Sequence, residues 1–288
     1  MKRILIDNAY IAWSTMLRYR NILLDGRDTI QNKKNYISSF HNAVELFSKQ
    51  AMIDNNDYRI LNIKNDEKDG KFARRFFQAT DLNQFFNSLD KNELMKIHTC
   101  DYSKLNLNQI FTKSSKDEKN KINKAKEKLG NLRNNETHFA MDEDFLSDQD
   151  FIELDEFMRR LYKLLQNQDL LPKHFGRRKS QLNCEGNRLI PDNKVVSSDF
   201  TFRNALINSK FTEYFKNNIN CGLQILYGRE SSFEIANSIF ESEAFSKKVT
   251  FEELLDYFSA YRNHNLITIH YDEDEESRTT EFTITFNE

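Results

Sequence analysis

Apolar residues recur along much of this chain at helical spacing. Between residues 29 and 53, Ile37, Phe40, Val44, Phe47 and Ala51 follow three- and four-residue steps, which sets them on one face of a helix. Residues 9–24 read as an earlier helix, and Asp25 and Gly26 make the break between the two. Residues 150–168 carry a fuller stripe: Phe151, Leu154, Phe157, Met158, Leu161, Leu164 and Leu165. Acids cluster at its start and Arg159, Arg160 and Lys163 come later, the order a helix dipole favours. Residues 114–132 form a further predicted helix, with Ser114 or Ser115 as cap and a thin apolar face of Ile122, Ala125, Leu129 and Leu132. Between these lie weaker segments. Residues 58–63 read as a short strand or loop, 65–70 as polar loop, and 71–89 as one or two helices with an aromatic face.

The pattern breaks over residues 171–198, which hold both prolines, Pro172 and Pro191, and the basic run Arg177, Arg178 and Lys179. This stretch is the expected linker. Beyond it the spacing predicts a helix over 199–218, a short strand over 222–227 and helices over 231–241 and 250–263. Two alternating strands follow over 266–271 and 279–286. Thr250 with Glu253 makes a capping box for the last helix. Helix, strand, helix, helix, strand, strand resembles the order of a winged-helix domain. The expected fold is therefore mainly α: a helical bundle over 1–170, a linker over 171–198 and a smaller α/β, winged-helix-like domain over 199–288.

Composition supports long helices. The chain has seven Gly and two Pro in 288 residues, where average usage gives roughly 20 and 14. Hydrophobic content is 39%, but 24 Phe and 11 Tyr let a core be filled by fewer residues. Three widely spaced cysteines, with no CxxC and no zinc-finger spacing, argue against a disulfide framework or structural zinc. No apolar run approaches the ~20 residues of a membrane span, and Asp7 and Asn8 interrupt the first apolar segment. A cytoplasmic protein with free thiols and no membrane segment is expected.

The net charge of −2 hides blocks. Residues 116–133 hold seven Lys or Arg against three Asp or Glu, and residues 142–156 hold eight acids and no base. Residues 272–288 hold seven acids and one Arg. A uniformly basic nucleic-acid binder is excluded, so any nucleic-acid contact is local. The acidic block either pairs with the basic helix before it or faces a partner.

Candidate chemistry concentrates in residues 129–138, where Arg133 is followed by Asn134 and, after four intervening residues, by His138. This resembles the HEPN superfamily of helical-bundle proteins. Their signature is Arg, four to six residues, then His, often with a polar residue after the Arg. The resemblance covers roughly residues 1–170, and its motif about ten of them. It implies a motif at a junction of helices and two protomers sharing a composite RNA-cleaving site. It also implies a metal-independent endoribonuclease without cofactor, in a toxin or anti-phage defence role, with a C-terminal domain that senses a signal or holds a protein inhibitor. His138 would transfer protons near neutral pH. Arg133 would hold phosphate oxygens, and Asn134 would position the phosphate or orient His138. Asn135 and Glu136 would line the site.

Other readings stay open. On residue type alone Arg133 and His138 equally suit the C-terminal end of a helix, where the dipole favours cations. The chain would then be a non-catalytic adaptor or regulator of a protein or nucleic-acid partner. Arg74, Arg75, Arg177, Arg178 and Lys179 are candidate RNA-phosphate ligands or solvated charge. His41, beside Phe40 and Val44, reads as a partly buried structural histidine. The acidic residues 272–276 at the expected wing repel a DNA backbone, which favours a protein contact there. No nucleotide-binding, hydrolase or metalloprotease motif occurs, and no calcium-loop pattern.

Overall fold

The computed structural model describes residues 5–61, 75–107, 116–138, 145–171, 189–192, 194–209, 211–213, 216, 223–226, 231–241, 249–274 and 279–287. The chain is mainly helical and carries a small antiparallel sheet near its C-terminus. It divides into two compact units. One is Met1–Tyr19 with Lys34–Val196; the other is Arg20–Lys33 with Ser197–Glu288. The junction between Val196 and Ser197 falls inside the expected linker. The inclusion of residues 20–33 in the C-terminal unit was not expected.

The first unit is built on α1 (Ile6–Leu24) and α2 (Ile30–Asp54), which each contribute most of their length to it. Two short helices, α3 (Leu82–Asn87) and α4 (Lys91–Lys96), follow a 3-10 turn at Tyr58–Ile60. Residues 58–63 were open between strand and loop; the described part is this turn, with a single bridge from Leu61 to Thr99. After a second 3-10 turn at Tyr102–Lys104 come the long helices α5 (Lys116–His138) and α6 (Asp148–Asn167). Ser147 and Asp150 cap α6 reciprocally, each side chain serving the other's backbone N–H.

The aromatic stripes do the packing. Ile37, Phe40, Val44 and Phe47 of α2 are fully buried, and so is the predicted face of α6. Phe40 meets Phe157 and Tyr36 meets Phe151, with ring centroids 5.3 and 5.5 Å apart. Trp13 of α1 packs edge-on against Phe47 and stacks with Tyr162. Each large ring so buried contributes about 1.5–3 kcal/mol. The strip 189–196 is fastened to this unit by side chains. The Trp13 indole donates to the Leu189 carbonyl at 2.9 Å, Arg159 donates to the carbonyls of Asp192 and Lys194, and Asp155 accepts from the Val196 N–H.

The second unit contains the α1–α2 turn. Gly26, at φ +80°, closes α1 in a left-handed conformation, with Gly26 N–H on the Leu23 carbonyl and Arg27 N–H on that of Ile22. Any other residue there is excluded twice over, because its Cβ would lie 2.3 Å from the Leu206 backbone nitrogen. α7 (Phe202–Ile207) is shorter than the predicted helix over 199–218. It ends at Asn208, where the Thr212 hydroxyl takes the Leu206 carbonyl, and residues 211–213 and 216 are helical again. Then come β1 (Leu223–Leu226), α8 (Ser232–Glu241), α9 (Phe251–Asn263), β2 (Ile267–Asp274) and β3 (Thr279–Phe286). The sheet order is β1-β3-β2, all antiparallel, with Ile267 opposite Phe286 and Asp274 opposite Thr279. Phe282 and Ile284 of β3 face a core of Ile235, Ile239, Leu254, Tyr257, Phe258 and Tyr261. The Thr250–Glu253 capping box opens α9 as the sequence indicates.

Candidate functional site

The Arg133 motif lies on α5. The sequence pattern ended this helix at Leu132, but the helix runs on through His138. Five positions on a continuous helix span about 500° of rotation. Positions 133 and 138 therefore lie about 140° apart around the axis and about 7.5 Å apart along it. Arg133 is half-buried and Asn134 exposed. The side chain of His138 and those of Asn135 and Glu136 are outside the described residues, as are Arg74, Arg177, Arg178 and Lys179.

Position 133 shares the inward side of α5 with Ile122, Lys126 and Leu129, all buried. Lys126 Nζ donates to the carbonyls of Leu105 at 2.7 Å and Ser103 at 3.3 Å, and lies 5.2 Å from the Tyr102 ring centroid. The Tyr102 hydroxyl donates back to the Lys126 carbonyl at 3.1 Å. Gly130 permits this approach, since a Cβ there would sit 3.1 Å from the Tyr102 ring. On its other side Tyr102 stacks on His41 of α2, with centroids 3.8 Å apart.

His41 is buried, with Nδ1 3.9 Å from a Glu45 carboxylate oxygen, beyond hydrogen-bond reach. Burial pushes its pKa down to about 4. Glu45 opposes that shift, while the charges of Arg133 and Lys126 add to it. His41 is therefore a neutral imidazole at neutral pH, enclosed between α2 and the Tyr102 ring. Arg133 holds a permanent charge beside it, at the edge of the same inward face.

The acidic block does pair with the basic helix. Lys128 Nζ lies 2.5 Å from Asp150 and 2.7 Å from Glu153. Burial works against ionisation of Asp150, but the hydrogen bonds from Lys128 and Ser147 and the Lys128 charge together outweigh it and hold the carboxyl below its ordinary range. Arg75 is also occupied: it bonds Glu93 at 2.6 Å and the Ser88 carbonyl at 3.2 Å. An open groove of about 470 Å³ lies between α1 and α2, lined by Asn8, Ile11, Ala12, Thr15, Ser39, Asn42, Glu45 and Leu46. Arg133 and position 138 are not part of it.

Sequence reasoning did not single out Lys126 and Tyr102. The one local signal was a lysine within the apolar stripe, four residues after Ile122 and three before Leu129. Comparison with known proteins gives no match, whether to family models, to curated proteins or to solved structures. Among the described residues no helix is long and apolar enough to cross a membrane. No group of three or more His, Cys, Asp or Glu among them could hold a metal ion.

Proposed function

We propose that the chain is a metal-independent endoribonuclease of the HEPN type, working as a homodimer. The observation that carries this reading is the motif's place: Arg133, Asn134 and His138 lie on one long helix of a helical unit, with Arg133 and Asn134 reaching the surface. A separation of about 140° keeps one copy from presenting both positions to one phosphate. A two-fold pairing that brings Arg133 of one copy to His138 of the other resolves this.

The chemistry follows from the residue types. His138 takes the proton of the 2′-hydroxyl as that oxygen bonds to phosphorus. The bond to the 5′-oxygen breaks, and that oxygen takes a proton from water as it leaves, while the protonated His138 returns its own proton to solvent. Arg133 neutralises the charge gathering on the phosphate oxygens, and Asn134 orients the phosphate. The products are a 2′,3′-cyclic phosphate and a 5′-hydroxyl. The family resemblance extends the reading to a toxin or anti-phage defence effector, with the C-terminal unit as sensor or partner site.

The test is cleavage of a mixed RNA pool with EDTA present. The wild type is expected to cut, while folded Arg133→Ala and His138→Ala variants are not. Mixing the two variants restores about a quarter of the activity, because half the dimers are mixed and each holds one complete site of two. Equal cleavage by wild type and His138→Ala sinks the mechanism.

One observation favours a second reading. Arg133 shares its side of α5 with Lys126, whose charge serves only the fold. A non-catalytic helical adaptor or regulator would use Arg133 in the same way. It would lose stability, and no RNA cleavage, on substitution.

A further inference from the structure

The surface beside the C-terminal core repeats one pair of residues three times: Phe233 with Glu234, Phe240 with Glu241, and Phe251 with Glu252. Phe233 and Phe240 are seven residues apart on α8, and so on one side of it, while Phe251 opens α9. The three rings meet. Phe251 stands edge-on to Phe233 at 5.2 Å and to Phe240 at 5.6 Å between centroids. Phe240, Phe251 and Leu255 are half-buried against the core. Phe233 stands beyond it, 54% exposed. Glu241 and Glu252 are exposed and make no ion pair among the described residues; Glu241 accepts the Asn237 amide at 2.9 Å. Glu253 and Asp256, by contrast, face Arg27 and Asn32. Residues 231–263 hold six acids against three bases, Lys247, Lys248 and Arg262. The two lysines lie outside the described residues, and Arg262 is about 16 Å along α9 from Phe251.

We infer that this surface docks a basic amphipathic segment of another protein. The apolar side chains of that segment cover Phe233 and Phe251, and its Lys or Arg side chains meet Glu241 and Glu252. The inference rests on the part of the proposed function that makes the C-terminal unit a partner site, not on RNA cleavage. The sign of the charge selects the occupant. A nucleic acid or an anionic membrane is repelled by the carboxylates. A second copy presenting the same face would set acid against acid. An uncharged apolar segment would cover the rings and leave the carboxylates desolvated without a partner. A basic segment neutralises them as it covers the rings, and clustered aromatic side chains are the usual anchors of such contacts.

The probe is a fluorescein-labelled synthetic peptide of Leu and Lys in an amphipathic helical pattern, compared with a twin that has Glu for every Lys. The full-length wild type should bind the Lys peptide, more weakly as salt rises, and should not bind the Glu twin. Phe233→Ser should weaken binding roughly tenfold, the loss of one aromatic anchor. Its ring is largely exposed, so an unchanged thermal melt should accompany that loss. Glu241→Gln/Glu252→Gln should flatten the salt dependence. No binding of the Lys peptide, equal binding of the Glu twin, or binding unmoved in both variants overturns the inference. A dimer of the wild type that Phe233→Ser dissolves also overturns it, in favour of a second copy. The two readings fail separately. Peptide binding without RNA cleavage removes the ribonuclease and keeps the docking surface, whereas cleavage without peptide binding does the reverse.

Discussion

Both units set buried side chains on carbonyls and on other side chains, Asp155 with Arg159 in the first among them, but two buried lysines, Lys126 and Lys33, are held in contrasting ways. In the first, buried or half-buried cations and the Trp13 indole serve main-chain carbonyls. Lys126 holds those of Ser103 and Leu105, Arg159 those of Asp192 and Lys194, and Trp13 that of Leu189. Around Lys33 in the second, side chains hold other side chains. Asp28 meets His264 at 3.0 Å and Lys33 at 3.2 Å, Asn32 donates to Asp256 at 3.0 Å, and the Tyr257 hydroxyl donates to Asp25. The contrast concerns fragility. A neutral carbonyl that loses its lysine costs about 1–3 kcal/mol when left unsatisfied. A buried ion pair that loses one member leaves an uncompensated charge.

The sharpest way to break this comparison is Asp28→Ala. Lys33 and Asp28 are each only 6% exposed at the side chain, so the change takes a carboxylate away from a buried ammonium and from His264. Burial raises the Asp28 pKa, but His264 and Lys33 outweigh it and hold the carboxyl below its ordinary range. The expected cost is about 3–5 kcal/mol, read as a fall in the urea midpoint. A loss under about 1 kcal/mol would show that the second unit does not depend on its pairs.

His41 tests the first unit by pH. Its folded pKa of about 4 lies below the unfolded value of about 6.5. Between the two, the unfolded chain binds a proton that the folded one does not. The contribution is therefore fully present above about pH 6.5 and is lost as pH falls towards 4, up to about 3 kcal/mol in all. His41→Phe keeps a ring on Tyr102 and should lack this part of the decline. Parallel stability profiles for wild type and variant over that window would refute the assignment.

The smallest effect belongs to Lys126→Met. It keeps the chain length of a buried residue and removes two hydrogen bonds to carbonyls. A cost of about 2 kcal/mol is expected, less than for Asp28→Ala. A larger loss than that of Asp28→Ala would reverse the contrast between the units.

Local signals were legible in proportion to their repetition. The stripe of α6 and the Thr250–Glu253 cap could be read because each repeats or closes within a few residues. The end of α5 was not legible. Beyond Leu132 the run of Asn, Glu and Thr lacks an apolar period, yet the helix continues to His138. That continuation changes the candidate site, because it sets positions 133 and 138 on different sides of one helix. The predicted helix over 199–218 is broken, not absent: α7 covers Phe202–Ile207, and residues 211–213 and 216 are helical again. Phe202 and Leu206 are four residues apart but Phe211 lies five beyond Leu206, and at that break the hydroxyls of Ser209 and Thr212 bond with Tyr261.

By itself the sequence determined the helical class, the faces of α2 and α6 and the β2–β3 hairpin. All of these follow from periodicity, caps and charge carried within short windows. Only the tertiary structure decided that residues 20–33 belong with the C-terminal unit. Their partners, Leu206, Asp256, Tyr257 and His264, lie some 180–240 residues further on. Such pairings are set by which surfaces the folded chain brings together, and no local pattern records them.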